Sequence, residues 1–322
     1  MHVSYAASIT LALALAKTQA FDIRDALTPL TFNDPNVDPD ANHYYLGYRG
    51  DDFDHPWSKY FNDSEVALNK EFTEGLANSP FPAESGVEFS DAGAALSQPG
   101  YLPLENGFTT LKDGSLYMAI RSDVPETFTG EQYDFWFSWH VNDTTKYKLW
   151  HPHAHQYAAV NKAELAGNAA KSDYRSRYWN LTSFIDEYIG ATAYKISIGF
   201  FDPRMQHFEL ENSATGIETI VTGFVRLFAY NDQDPASEAR AGLTPFDIIL
   251  AHQVRRKPVG GGKEIRSRFW VGPGLKALVN VVMKPEQLAR DLSTHCAVEM
   301  THLGTFLPAL FAEFKDDLAV VS

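Results

Sequence analysis

A single cysteine, Cys296, leaves this chain without an intrachain disulfide or any zinc motif built from several thiolates. A metal site here must draw on histidine and carboxylates. Positive charge is scarce as well: 27 Lys and Arg stand against 41 Asp and Glu, a formal net charge of −14. That is the wrong sign for wrapping nucleic acid or lying on an anionic membrane. The apolar run Ala6 to Ala16 is too short to cross a bilayer, so no membrane span is expected. What is present is core material: 322 residues, 44% hydrophobic and 13% aromatic, enough for a globular body and too much for intrinsic disorder.

The apolar run followed by Lys17, Thr18, Gln19 and Ala20 reads as a signal peptide over residues 1–20, cleaved before Phe21. The protein is then secreted, or cytoplasmic if the segment stays on as a frayed helix. Sequons at Asn62, Asn142 and Asn180 are consistent with export and arise by chance in chains this long. Residues 21–100, rich in Asp, Asn, Pro and turn signals, predict an irregular N-terminal subdomain with one helix over Ser64 to Leu76.

A body over 101–316 follows. Its expected strands are Leu116 to Val124, Ser183 to Phe201 interrupted at Gly190, His207 to Leu210, Ile217 to Tyr230, Phe246 to Arg256 and Glu264 to Val271. Helices are expected over Gly130 to His140 and from Pro285 to about His302, extending with a kink at Pro308 toward Phe314. The pattern predicts an α+β class in which a curved antiparallel sheet grips a long C-terminal helix.

On that last helix Leu288, Leu292, His295, Glu299, His302 and Phe306 recur at steps of three or four and share one face. An uncompensated Glu is almost never buried, so something must neutralise Glu299. A divalent metal held by His295 and Glu299 would do so, and so would a hydrogen-bonded His–Glu pair. Tyr133, Trp136, Phe137 and His140 form a second stripe, with His140 either a satisfied core residue or a third ligand. In the strand around Asp186-Glu187 successive side chains point to opposite faces, so one acid faces inward, toward a metal or toward Arg266 or Arg268. The tract His151, His153, His155 reads as a surface cluster, His155 being the member worth watching. Arg255, Arg256 and Lys257 read as a solvated hairpin end.

Several blocks in one order carry a family signal: Tyr133 to His140, Tyr147 to Pro152, Asp186 to Gly190, Ile265 to Gly272, and His295 to Glu299 with Phe306-Leu307-Pro308. Over roughly Gly114 to Phe314 the chain resembles the 2,4-diacetylphloroglucinol hydrolase and phloretin hydrolase family. The resemblance implies a domain like the birch-pollen-allergen (Bet v 1-like) helix-grip fold, an N-terminal region used in homodimer contacts, and zinc-dependent hydrolysis of an aryl-ketone carbon–carbon bond. Matched position by position, it implies metal ligands at His140, Glu187, His295 and Glu299. Such a set suits Zn²⁺ and also accepts Mn²⁺ or Fe²⁺.

The implied substrate is a small aromatic ketone, an acyl group on a polyhydroxylated ring, attacked by metal-activated water. The departing ring carbon needs a proton, for which His207, His252 or a tyrosine is expected. Two other readings compete: a secreted helix-grip protein that binds a phenolic or lipid-like ligand without turning it over, and a lyase or ester hydrolase on the same ligands.

Overall fold

The computed structural model describes residues 45–160, 162–229, 246–272 and 285–317; the signal-peptide segment 1–20 lies outside the described residues. Strands β1 (Gly107–Thr110), β2 (Leu116–Val124), β3 (His155–Val160), β4 (Thr182–Ile189), β5 (Thr192–Phe201), β6 (Ile217–Ala229), β7 (Phe246–Arg256) and β8 (Lys263–Val271) form one sheet. Its order is β1-β2-β8-β7-β6-β5-β4-β3, with every neighbouring pair antiparallel.

The helices are α1 (Lys70–Ala77), α2 (Ala92–Leu96), α3 (Gly130–Trp139), α4 (Thr144–Lys148), α5 (Lys162–Asn168), α6 (Tyr174–Tyr178) and α7 (Pro285–Phe314). With α7 laid along the sheet, the chain has the expected α+β helix-grip architecture. No helix among the described residues is long and apolar enough to cross a membrane.

Local chemistry explains the elements that position the site. Thr129 and Gln132 form a reciprocal capping box that starts α3. Asp143 accepts the backbone N–H groups of Thr145 and Lys146 and starts α4 three residues after His140 ends α3. Strands β4 and β5 join through Gly190 at φ +63°, where a side chain would also press on Asp291. Helix α7 continues through Pro308 to Phe314.

One core unites these parts: Tyr133, Trp136 and Phe137 of α3, Leu292, Met300 and Leu303 of α7, and the inward residues of β4 to β8 are buried together. Trp57 and Phe72, from the residues before β1, join the same core.

Several expectations need correction. Residues His207 to Leu210 form no strand; a 3₁₀ turn over Pro203–Gln206 ends there, and His207 takes the left-handed conformation at φ 61°. The helix expected from Ser64 begins only at Lys70, where Asn69 caps it. Arg255 is not part of a solvated hairpin end. It is fully buried against Glu264 at 2.8 Å, because strand alternation turns it away from exposed Arg256. Arg266 and Arg268 meet neither acid of β4; both are held by Glu105, while Asp186 lies 3.2 Å from Lys195.

Candidate metal centre

Four buried side chains converge: His155 from β3, Glu187 from β4, and His295 and Glu299 from α7, with one ligand atom of each within 4.8 Å of all the others. Two short-range rules bring them together. His155 and Glu187 are direct cross-strand partners, and His295 and Glu299 are i, i+4 neighbours on one helix face. His155 Nε2 lies 3.0 Å from Glu299 Oε1 and 3.4 Å from Glu187 Oε2; His295 Nε2 lies 3.4 Å and 3.6 Å from the same two oxygens.

The donor set fits a divalent cation. His155 Nδ1 is 2.9 Å from the Tyr147 carbonyl, which can only accept, so Nδ1 is the donor. A neutral ring then turns its Nε2 lone pair toward two carboxylate oxygens, acceptor facing acceptor. Nε2 of both His155 and His295 is buried with no hydrogen-bond partner. Orphaned nitrogens and paired carboxylates in so dry a place call for a positive charge between them. Without a metal, that charge falls on a proton. Burial opposes it, but the carboxylates of Glu187 and Glu299 hold His295 up at about 9, and Glu299 is pulled well below the usual carboxylate range.

Tyr147 orders one side of the group. Its ring stacks on His155 with centroids 3.7 Å apart and planes 3° apart, and its hydroxyl donates to Glu187 Oε2. Burial, and then the Glu187 charge, raise the phenol well above its ordinary pKa, so it stays a donor.

His140, expected as a ligand, lies outside these four and lines the same cavity. As the residue capping the end of α3 it stacks on Trp136, and its Nδ1 donates 2.6 Å back to the Trp136 carbonyl. His155 stands in its place. The sequence reading missed His155 because alternating histidines after a turn suggest a surface cluster; the available signal was the apolar run Tyr157 to Val160 behind it, which marks a buried strand. His153 is exposed as expected, whereas His155 has no exposed surface.

Glu187, His295 and Glu299 open onto a partly enclosed cavity. His140, Tyr147 and His252 also line it. His252 Nδ1 is 2.7 Å from Ser267 Oγ, and burial pushes His252 down to about 4 and His140 to about 3, so both are neutral imidazoles at neutral pH. His207 is exposed and does not line the cavity, so a proton-donor role for it has no geometric support. The remaining walls are mostly aliphatic and aromatic.

A sequence profile of the family described as DAPG hydrolase PhiG domain matches residues 87–312. The chain is 25% identical over 279 residues to a 2,4-diacetylphloroglucinol hydrolase of a Pseudomonas species, covering 80% of this chain and 88% of that protein. It is 24% identical over 266 residues to the phloretin hydrolase of Eubacterium ramulus, covering 80% of this chain and 90% of that protein. Among solved structures, ginseng major latex-like protein 151 from Panax ginseng superposes with a TM-score of 0.31 at 11% identity, covering 58% of this chain and 97% of that one.

Proposed function

This chain belongs to the DAPG hydrolase family, and on that premise we propose that it is a metal-dependent hydrolase that cleaves the carbon–carbon bond between an acyl group and a polyhydroxylated aromatic ring. The observation that carries the reading is the convergence of two imidazoles and two carboxylates at the edge of a largely apolar cavity. His155, Glu187, His295 and Glu299 would hold one divalent ion, with Zn²⁺ the first choice and Mn²⁺ or Fe²⁺ compatible. Such an ion supplies Lewis acidity to a ketone oxygen and lowers the pKa of water toward neutrality.

The chain's own residues do the rest. The apolar walls exclude bulk water and strengthen every charge interaction inside. Tyr147 holds Glu187 in place, and the Tyr147 carbonyl fixes the His155 tautomer. His140, with Nδ1 committed to Trp136, offers only the Nε2 acceptor to the cavity, suited to a ring hydroxyl. His252 is the imidazole we assign to passing a proton to the ring carbon. In the balanced reaction the aryl–acyl bond breaks, the hydroxyl of water joins the acyl carbon to give a carboxylic acid, and the remaining proton ends on the ring. A ring with ortho and para hydroxyls takes it through its keto tautomer.

Glu299→Gln tests this reading, since Gln fills the same space without the charge. Metal content by mass spectrometry should fall well below one ion per chain and the rate of phloretin turnover by about a hundredfold, with the fold intact by circular dichroism. Retention of metal and rate together would make the pair structural. Export through the N-terminal segment and homodimer formation belong to the same proposal, and are tested by the N-terminal residue of the native protein and by light scattering.

A further inference from the structure

The tract His151-Pro152-His153-Ala154-His155 sends its three imidazoles to different places. The His151 carbonyl accepts the backbone N–H groups of Ala154 at 3.0 Å and His155 at 2.9 Å. That tight turn sets His151 and His155, four residues apart, on one side. His153 is exposed instead and meets the Asp63 carbonyl.

The His151 ring has the spacing of a ligand. Its centroid lies 5.0 Å from that of His295 and 5.6 Å from that of His155, and the His155 and His295 centroids are themselves 5.4 Å apart. Two imidazoles on one tetrahedral ion, each with its nitrogen about 2.0–2.1 Å from the metal, have ring centroids roughly 5 Å apart. The three rings therefore form a nearly even triangle, any edge of which one ion could bridge. Yet His151 supplies no nitrogen to the four side chains that converge, and its Nδ1 is buried without a hydrogen-bond partner.

Its position also separates it from the cavity. Glu187, His295 and Glu299 line that cavity; His151 does not, and it keeps part of its surface in solvent. A hydrated dication crossing the cavity would shed water against aliphatic walls that offer no donor in return, at a steep desolvation cost. Along His151 it exchanges water for an imidazole before it meets the carboxylates.

Resting on the metal-centre reading above, we infer that His151 is a transfer ligand. It takes a divalent ion from solvent, shares it with His155 and His295, and yields it to Glu187 and Glu299. Each exchange swaps one donor for another: a water leaves as His151 binds, and His151 leaves as a carboxylate binds. A residue that holds the ion only in passage lowers the barrier in both directions and leaves the end states alone. Removing it must slow entry and exit by the same factor.

The experiment mixes the full-length protein, stripped by chelator, with Co²⁺ in a stopped-flow instrument and follows the visible absorbance of the bound ion. Release is followed by capture with excess EDTA at several concentrations. In His151→Gln the association and dissociation rate constants are both expected to fall at least tenfold, with Kd within threefold of wild type. His153→Gln, which alters only the exposed neighbour, keeps wild-type rates. If His151→Gln loses its native circular dichroism, His151→Asn is measured in its place.

Unchanged rates in the His151 variant overturn the inference. A weaker Kd with an unchanged association rate overturns it too, by making His151 a resident ligand or a packing residue. A wild type that binds no ion refutes the metal centre itself, and the inference with it. A protein that shows the expected exchange kinetics but turns over no phloretin refutes the hydrolase reading alone and supports the transfer role.

Discussion

Replacing Tyr147 with Phe removes one oxygen and leaves the rest of the site in place. The ring that stacks 3.7 Å from His155 stays, and so does the backbone carbonyl that receives His155 Nδ1–H at 2.9 Å. Only the donor to Glu187 Oε2 is lost. That bond joins a neutral phenol to a buried carboxylate, a class worth about 1.5–3 kcal/mol, or roughly tenfold to a hundredfold in an equilibrium constant. The same range is typical when the outer hydrogen bond of a metal-ligating side chain is removed.

Metal affinity should therefore fall by about that factor, read by chelator competition with a zinc-responsive dye on stripped protein. Because Tyr147 stays protonated, the loss should be constant from pH 6 to 8. The stripped variant should also melt lower than stripped wild type, since Glu187 remains buried without its donor. A dissociation constant within twofold of wild type, in a variant with native circular dichroism, would refute the claim that this phenol orients Glu187 as a ligand.

Two other outcomes follow from particular residues. Burial opposes ionisation of Glu105, but Arg268 and Arg266 overcome it and lower the group from 4.5 to about 2. Its contribution, about 3 kcal/mol, is fully present above pH 4.5 and is lost as pH falls toward 2. Glu105→Gln should therefore be less stable at pH 7 and lose less on acidification, in urea titrations across that window; an unchanged acid limb would count against the clamp. For the sequons, Asn62 and Asn180 are exposed, whereas Asn142 buries its Oδ1 two residues past His140, which caps α3. Expressed through a secretory host, the protein should carry sugar at Asn62 or Asn180 and not at Asn142; peptide mapping that found Asn142 fully occupied would overturn this.

Where periodicity was long and sustained, the fold was legible from residues alone. Strands β2 and β7 begin and end at the expected residues, and α7 starts at Pro285 with His295 and Glu299 inward. Glu187 came from the family resemblance, since alternation could not choose between it and Asp186, and both prove buried. The failures share a cause. His155 opens a short strand that is buried on both faces, so no alternation marks it, and its environment is made by α7, more than a hundred residues away. His140 sits on an apolar helical stripe, as a ligand or a packed histidine would, and its bond to the Trp136 carbonyl is compatible with both; what differs is that it lies outside the four side chains that converge. Arg255 reaches the Gly100 carbonyl, and Glu105 reaches Arg266, each across a large sequence separation that local patterning does not encode.

Strand β3 ends the sheet order, with a ladder partner, β4, on one side alone. An edge held on one side is the first part of a sheet to open. His155 is the first residue of that strand, just before its bulge, and the two α7 ligands approach it from outside the ladder. An ion joining these groups would act as a rivet between a fraying margin and the central helix, doing mechanically what a ninth strand would do. Occupancy would then be recorded far from any reaction chemistry, in how slowly the amide protons of 155–160 exchange with solvent.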